Sequence, residues 1–120
     1  MRKALYHRYT VTTAHTGFVD LQDSNKDYCS MDEYNAGDIG IAEGEAGSAT
    51  LLTFYAANWN DTAMAPLYKA DGSTAVTATI PAGAQANGAV IPLPTECRDA
   101  FRIAAKADAA CTISIFRKQT

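Results

Sequence analysis

The chain has 120 residues and a net charge of −3; its 48% apolar fraction draws 23 positions from alanine and only 21 from Leu, Ile, Val and Phe together. That length supports one core, and so small a net charge excludes the disorder that few large apolar groups would signal in a highly charged chain. It also excludes duplex nucleic acid as a partner, which demands a strong basic excess on the docking face. We read residues 1–120 as a single domain with a thin core, and no membrane partner is expected because no apolar run nears spanning length.

Residues 1–22 are predicted to hold N-terminal strands. In ALYHRYTVTT, from Ala4 to Thr13, Leu5, His7, Tyr9 and Val11 alternate with Tyr6, Arg8, Thr10 and Thr12. Alternation of β-branched and aromatic residues predicts a strand. A second strand, Gly17 to Gln22, is expected to pair with it across Ala14-His15-Thr16. No apolar stretch of the secretory kind follows Met1-Arg2-Lys3. Cys29, Cys97 and Cys111 are therefore expected to be free thiols made in a reducing compartment.

Residues 23–48 lose this periodicity. Gly37, Gly40, Gly44 and Gly47 punctuate an acidic stretch, read as a long arm or loop, interrupted by a short strand near Ile39 and Ile41. Loops of this length in compact domains are usually functional or ordered by a partner. Its start, DSNKDYCSMDEY (Asp23 to Tyr34), spaces its acids like a calcium loop. Asp23, Asn25 and Asp27 fill the first three ligand positions, but Tyr28 stands where the glycine turn belongs and Tyr34 where the bidentate glutamate belongs. The metal reading fails.

The sandwich proper is placed at residues 49–120. A strand from Thr50 to Ala56 is followed by the polar turn Asn58-Trp59-Asn60-Asp61 and a return over Ala65 to Lys69. Asp71-Gly72 is a hairpin signal, because that pair tolerates positive φ in a tight turn. Val76, Ala78 and Ile80 alternate up to Pro81. A loop, PAGAQANG, leads to a short strand at Ala89 to Leu93, kept from being a long central strand by Pro92 and Pro94. Thr95 to Asp99 is predicted to make one helical turn. Phe101, Ile103 and Ala105 then alternate with Arg102 and Lys106; after a turn at Ala107-Asp108, Cys111, Ile113 and Ile115 alternate with Thr112, Ser114 and Phe116. Seven or eight short strands and no convincing helix predict an all-β fold, an antiparallel β-sandwich or small barrel.

No reactive constellation emerges. The cysteines lack zinc spacing and His7 and His15 lie on separate segments. No serine occupies a nucleophile elbow, and Cys111, on an inward strand face, is better explained by packing. Thirteen acids make any carboxylate pair uninformative. Asn60-Asp61-Thr62 matches a glycosylation acceptor but has no secretory signal to support it. We expect no enzyme, no cofactor and no metal.

Charge is segregated instead. Residues 20–47 carry eight acids against Lys26, and residues 98–118 carry five bases against Asp99 and Asp108. Opposite surfaces of this kind suit contact between copies, and a thin core gains by docking.

The stretches LLTFYAA, PLYKADGSTAVTATI and VIPLPTECRDAFRIAAKADAACTISIFRK carry a strand, a D-G hairpin, a Pro-x-Pro entry, an F-R-I strand and a closing strand with a basic end. Over residues 49–118 the pattern resembles small β-sandwich virion proteins of tailed bacteriophages, those that cement or decorate capsids. The resemblance implies a virion component made in the host cytoplasm, forming homo-oligomers and docking on the major capsid protein or other virion subunits. On that reading the 23–48 segment is an interface element. Tyr28, Tyr34 and Trp59 are candidate anchors, and Arg102, Lys106, Arg117 and Lys118 are candidate partners for acidic surfaces. The alternative is a carbohydrate-binding β-module recognising a host surface glycan. It would stack Trp59 on a sugar ring, with Asn58, Asn60 and Asp61 bonding hydroxyls.

Overall fold

A computed structural model describes residues 3–11, 29–31, 34–57, 65–100 and 102–119. Nine strands follow one another along them: β1 (Lys3–Val11), β2 (Cys29–Ser30), β3 (Ala36–Ile41), β4 (Leu51–Ala57), β5 (Ala65–Pro66), β6 (Thr77–Thr79), β7 (Ala89–Pro92), β8 (Arg102–Ala107) and β9 (Cys111–Gln119). They form two antiparallel sheets packed face to face, the expected sandwich. The first has the order β1-β9-β3-β7; the second runs β2-β8-β4-β5, with β6 also pairing β4.

β3 and the described part of β9 bury one parity of their residues, as a half-buried pleat requires, whereas β8 is buried on both faces along most of its length. Ile39 and Ile41 of β3, Ile113 and Ile115 of β9, Leu52 and Phe54 of β4 and Ile103 and Ala105 of β8 meet between the sheets. Val11, Met31, Val76, Ile80 and Leu93 complete one shared cluster. Full burial of each large side chain contributes about 1.5–3 kcal/mol. Alanines at positions 49, 78, 84, 100, 105 and 107 fill the rest of the core, so the interior is as thin as the composition predicts.

Two polar devices fix the connections. Asp108, in the turn between β8 and β9, accepts hydrogen bonds from the backbone N–H of Thr50 (2.8 Å) and of Leu51 (3.2 Å), and from the Thr50 hydroxyl. These bonds clasp the start of β4 to a turn remote in sequence. In the predicted hairpin, Asp71 accepts from the N–H groups of Ser73 and Thr74, both at 2.8 Å, and from the Thr74 hydroxyl at 2.5 Å. Gly72 there adopts φ 74°, the positive value that tight turns reserve for glycine.

Within residues 23–48 the expected short strand at Ile39 and Ile41 forms as β3, an interior strand flanked by β9 and β7. Its Ile39 and Ile41 supply core contacts that outweigh an acidic, glycine-rich composition, since strand preference is mostly packing context. The PAGAQANG loop contains a single helical turn, α1 (Ala84–Asn87), entered from Gly83 and pinned by the Gln85 side-chain amide on the Ala49 carbonyl at 3.0 Å. The first strand of the expected first hairpin forms as β1 and pairs with β9 along all nine residues, Lys3 opposite Gln119 through Val11 opposite Cys111. The hairpin's second strand, Gly17 to Gln22, lies outside the described residues, as do Asp23 to Tyr28 of the calcium-like stretch. The helical turn at Thr95–Asp99 forms as a 3-10 turn.

Candidate functional site

The outward parity of the first sheet makes the most distinctive surface. On β9 it comprises Thr112, Ser114, Phe116 and Lys118; on β3, Ala36, Asp38 and Gly40; on β7, Val90 and Pro92. Register brings them into rows: Gly40 stands between Val90 and Ser114, and Asp38 between Pro92 and Phe116. Val90 is 76% exposed and Phe116 37%. Asp38, Gly40, Val90, Ser114 and Phe116 enclose a shallow, mostly apolar trough of about 230 Å³.

Gly40 creates that trough. A glycine inside a strand costs about 0.5–1 kcal/mol relative to alanine, and often marks a place where a ligand or another chain approaches. Gly37, two residues earlier, has a packing reason: a Cβ there would sit 3.0 Å from a Leu93 methyl and 3.1 Å from the Phe116 carbonyl oxygen. Gly40 has none. A Cβ at this position would meet only the Ser114 Cβ, at an ordinary 3.9 Å, and its φ lies outside the positive range. The space over Gly40 is therefore open by side-chain choice rather than by backbone need.

Charge borders the trough on one side. Asp38 forms an ion pair with Lys118, whose ammonium also lies 5.9 Å from the Phe116 ring centroid. The pair is partly exposed, so it fixes side-chain positions more than it stabilises the fold.

Part of the outward side of the second sheet, between β4 and β8, is closed. Tyr55 and its register partner Ala104 form a separate buried cluster there, Arg102 is only 5% exposed, and the Lys106 ammonium lies 5.9 Å from the Tyr55 ring centroid.

This geometry redistributes the sequence-derived candidates. Arg117, expected to reach a partner's acids, is a correction: at 2% exposure it has the inward parity of Ile113 and Ile115. Its guanidinium carbon lies 5.2 Å from the Tyr34 ring centroid, a cation–π distance. Tyr34, partly buried, packs against the core, and its ring is what the Arg117 guanidinium meets. Arg102 is a second correction, because its outward parity does not expose it. Lys106 is half-buried beside Tyr55. Lys118 alone of the four cations borders the open face. Tyr28 and Trp59 lie outside the described residues. Sequence reasoning missed Gly40, Val90 and Phe116; the available signal was an aromatic residue in the outward row Thr112-Ser114-Phe116.

Cys97 and Cys111 are buried free thiols. Burial, and then the Asp108 carboxylate nearby, push the Cys111 thiol above its ordinary pKa, which lowers its thiolate fraction. Among the described residues no three His, Cys, Asp or Glu side chains converge to hold a metal ion, and no helix is long and apolar enough to cross a membrane.

No protein-family model, no curated protein and no solved structure matches this chain.

Proposed function

We infer that this chain is a structural virion protein of a tailed bacteriophage, a cement or decoration subunit that works by docking rather than by chemistry. The observation that carries this reading is the open trough over Gly40, a recess in the middle of a sheet that neither packing nor backbone conformation requires. Exposed apolar side chains beside such a recess suit a protein contact. The partner is the major capsid protein or another virion subunit, seating a side chain between Val90 and Phe116, with the Asp38–Lys118 pair on the polar rim. The sequence resemblance over residues 49–118 supplies the identity of the particle, and the thin, alanine-filled core supplies the benefit of docking.

The decisive substitution is Gly40→Val. It fills the trough while favouring the strand, so thermal stability is expected to hold or rise slightly, by up to about 1 kcal/mol. Binding to particles produced by the genome that encodes this chain is expected to fall at least ten-fold. Mass spectrometry of those particles is expected to find the chain as a stoichiometric component; its absence from them would sink the virion reading. A second reading has one observation in its favour. A trough of about 230 Å³ beside an aromatic ring, a carboxylate and a hydroxyl suits a single sugar ring. Glycan binding by the wild-type chain that Gly40→Val abolishes, without particle binding, would establish that reading instead.

A further inference from the structure

A helix as short as α1 is marginal by itself. No side chain caps its start at Gly83, and it has no acid in its first turn or base in its last to favour its dipole. Its end is closed by backbone bonds, from Asn87 N–H to the Gly83 carbonyl at 2.9 Å and from Gly88 N–H to the Ala84 carbonyl at 2.7 Å. The Gln85 amide pins the turn to the Ala49 carbonyl, and Ala84 reaches the core. Of the five asparagines in the chain only Asn87 precedes a glycine, and it is exposed at the end of this turn. Gly88 is there by backbone need. Its φ is 81°, and a Cβ would lie 3.3 Å from both the Glu43 nitrogen and the Ile41 carbonyl oxygen.

We propose that Asn87–Gly88 is a self-modification site, in which opening of α1 lets the Gly88 backbone nitrogen attack the Asn87 side-chain carbonyl carbon and convert the asparagine to aspartate or isoaspartate. The new N–C bond closes a succinimide ring. Ammonia leaves, made of the side-chain nitrogen with its hydrogens and the proton that Gly88 gives up. Water then opens the ring at either carbonyl, so solvent is the only co-reactant and nothing is oxidised or reduced. Glycine suits the attack because no Cβ shields its nitrogen. The closed turn withholds both partners: the Gly88 nitrogen is engaged with Ala84, and the Asn87 amide nitrogen folds back over Gly83, 3.2 Å from where a Cβ would stand there. Local opening therefore sets the rate. Asp71–Gly72, the one Asp-Gly pair of the chain, is the guarded counterpart. Its carboxylate is fixed by Ser73 and Thr74, and the Gly72 N–H is engaged with the Lys69 carbonyl at 2.9 Å. At Asn87 both products add one carboxylate, which takes the net charge from −3 to −4. Isoaspartate also routes the main chain through an extra methylene directly before β7, whose Ala89 and Val90 stand opposite Ile41 and Gly40.

Peptide mass spectrometry of the full chain, held native or in urea in mildly alkaline buffer, reads the reaction as a gain of one mass unit at Asn87. An isoaspartate-specific methyltransferase separates the two products. Conversion is expected in both samples, and more slowly in the native one. Gln85→Ala removes the pin without touching the reacting atoms. It is expected to raise the native rate between about two-fold and twelve-fold, as loss of one hydrogen bond would, and to leave the rate in urea unchanged. Asn87→Gln, whose longer side chain disfavours ring closure, is expected to show no gain at this position. Amide exchange of wild type serves if Gln85→Ala fails to fold: Gly88 N–H exchanging well before Phe54 N–H is the mark of local opening. In the converted chain, separated on ion exchange by its extra charge, β7 amides are expected to exchange faster than in the unmodified one. Conversion confined to the urea-treated chain, a native rate that Gln85→Ala leaves unchanged, or Gly88 and Phe54 exchanging together would each overturn the site. Unaltered β7 exchange after conversion would overturn its effect on the sheet. None of these readouts involves a partner, so this inference and the contact reading stand or fall separately.

Discussion

The two outward sheet faces share strand geometry and alternation but not their relation to water. On the second sheet, the outward parity is sealed where β4 and β8 face each other at Tyr55, Ala104 and Arg102, although Leu51 at the start of β4 is exposed. On the first, Val90 and Phe116 reach solvent beside a glycine recess. A face that were open only for want of side chains to cover it would be polar or filled. This one is apolar, hollow and bordered by an ion pair. On the proposed reading, the contrast places the contact on the open face of the first sheet.

The largest effect sharpens the contrast by removing what both faces share. Phe54→Ala empties the common core and is expected to cost about 3–5 kcal/mol, lowering the urea midpoint and loosening both faces together. An intermediate effect compares the faces directly, by placing one lysine on each. Ala104→Lys forces a charge into the sealed cluster and is expected to cost at least about 2 kcal/mol. Val90→Lys, on the open face, is expected to stay within about 0.5 kcal/mol of wild type while abolishing particle binding. Equal stability losses from the two lysines would erase the distinction. The smallest effect lies on neither face. Hydrogen bonds from Thr74 and Ser73, with Lys69 nearby, lower the Asp71 pKa from 3.8 to about 2. A depressed folded-state value means that stability from this carboxylate is present above the unfolded value and lost as pH falls through the folded one. Asp71→Asn is therefore expected to melt slightly below wild type at neutral pH, with the gap closing between pH 3.8 and about 2.

The sandwich was legible because alternation is strong where strands are half-buried: Ile113 and Ile115, or Leu52 and Phe54, point to a core by themselves. Extending the same count two residues past Ile115 puts Arg117 inside, a conclusion its charge discouraged. β3 was harder. Asp38, Gly37 and Gly40 have poor strand preference, and only neighbours on both sides make Ile39 and Ile41 decisive. Arg102 had the correct parity, but its burial depends on what covers the outward face, which no local pattern encodes. Gly40 was least legible of all. An in-strand glycine can mark a bulge, a close approach or an open site, and separating Gly40 from Gly37 required knowing what a methyl group would touch.

The strand order of the first sheet bears on biosynthesis. β9, the last of the nine strands, lies between β1 and β3, so neither can complete its ladder until residues 111–119 have left the ribosome. While the residues between β1 and β9 are synthesised, at about 5–20 residues per second, β1 is without β9. Such long-range pairing is slow to form, so completion of this sheet waits on the emergence of β9, even though β3 can pair with β7 beforehand.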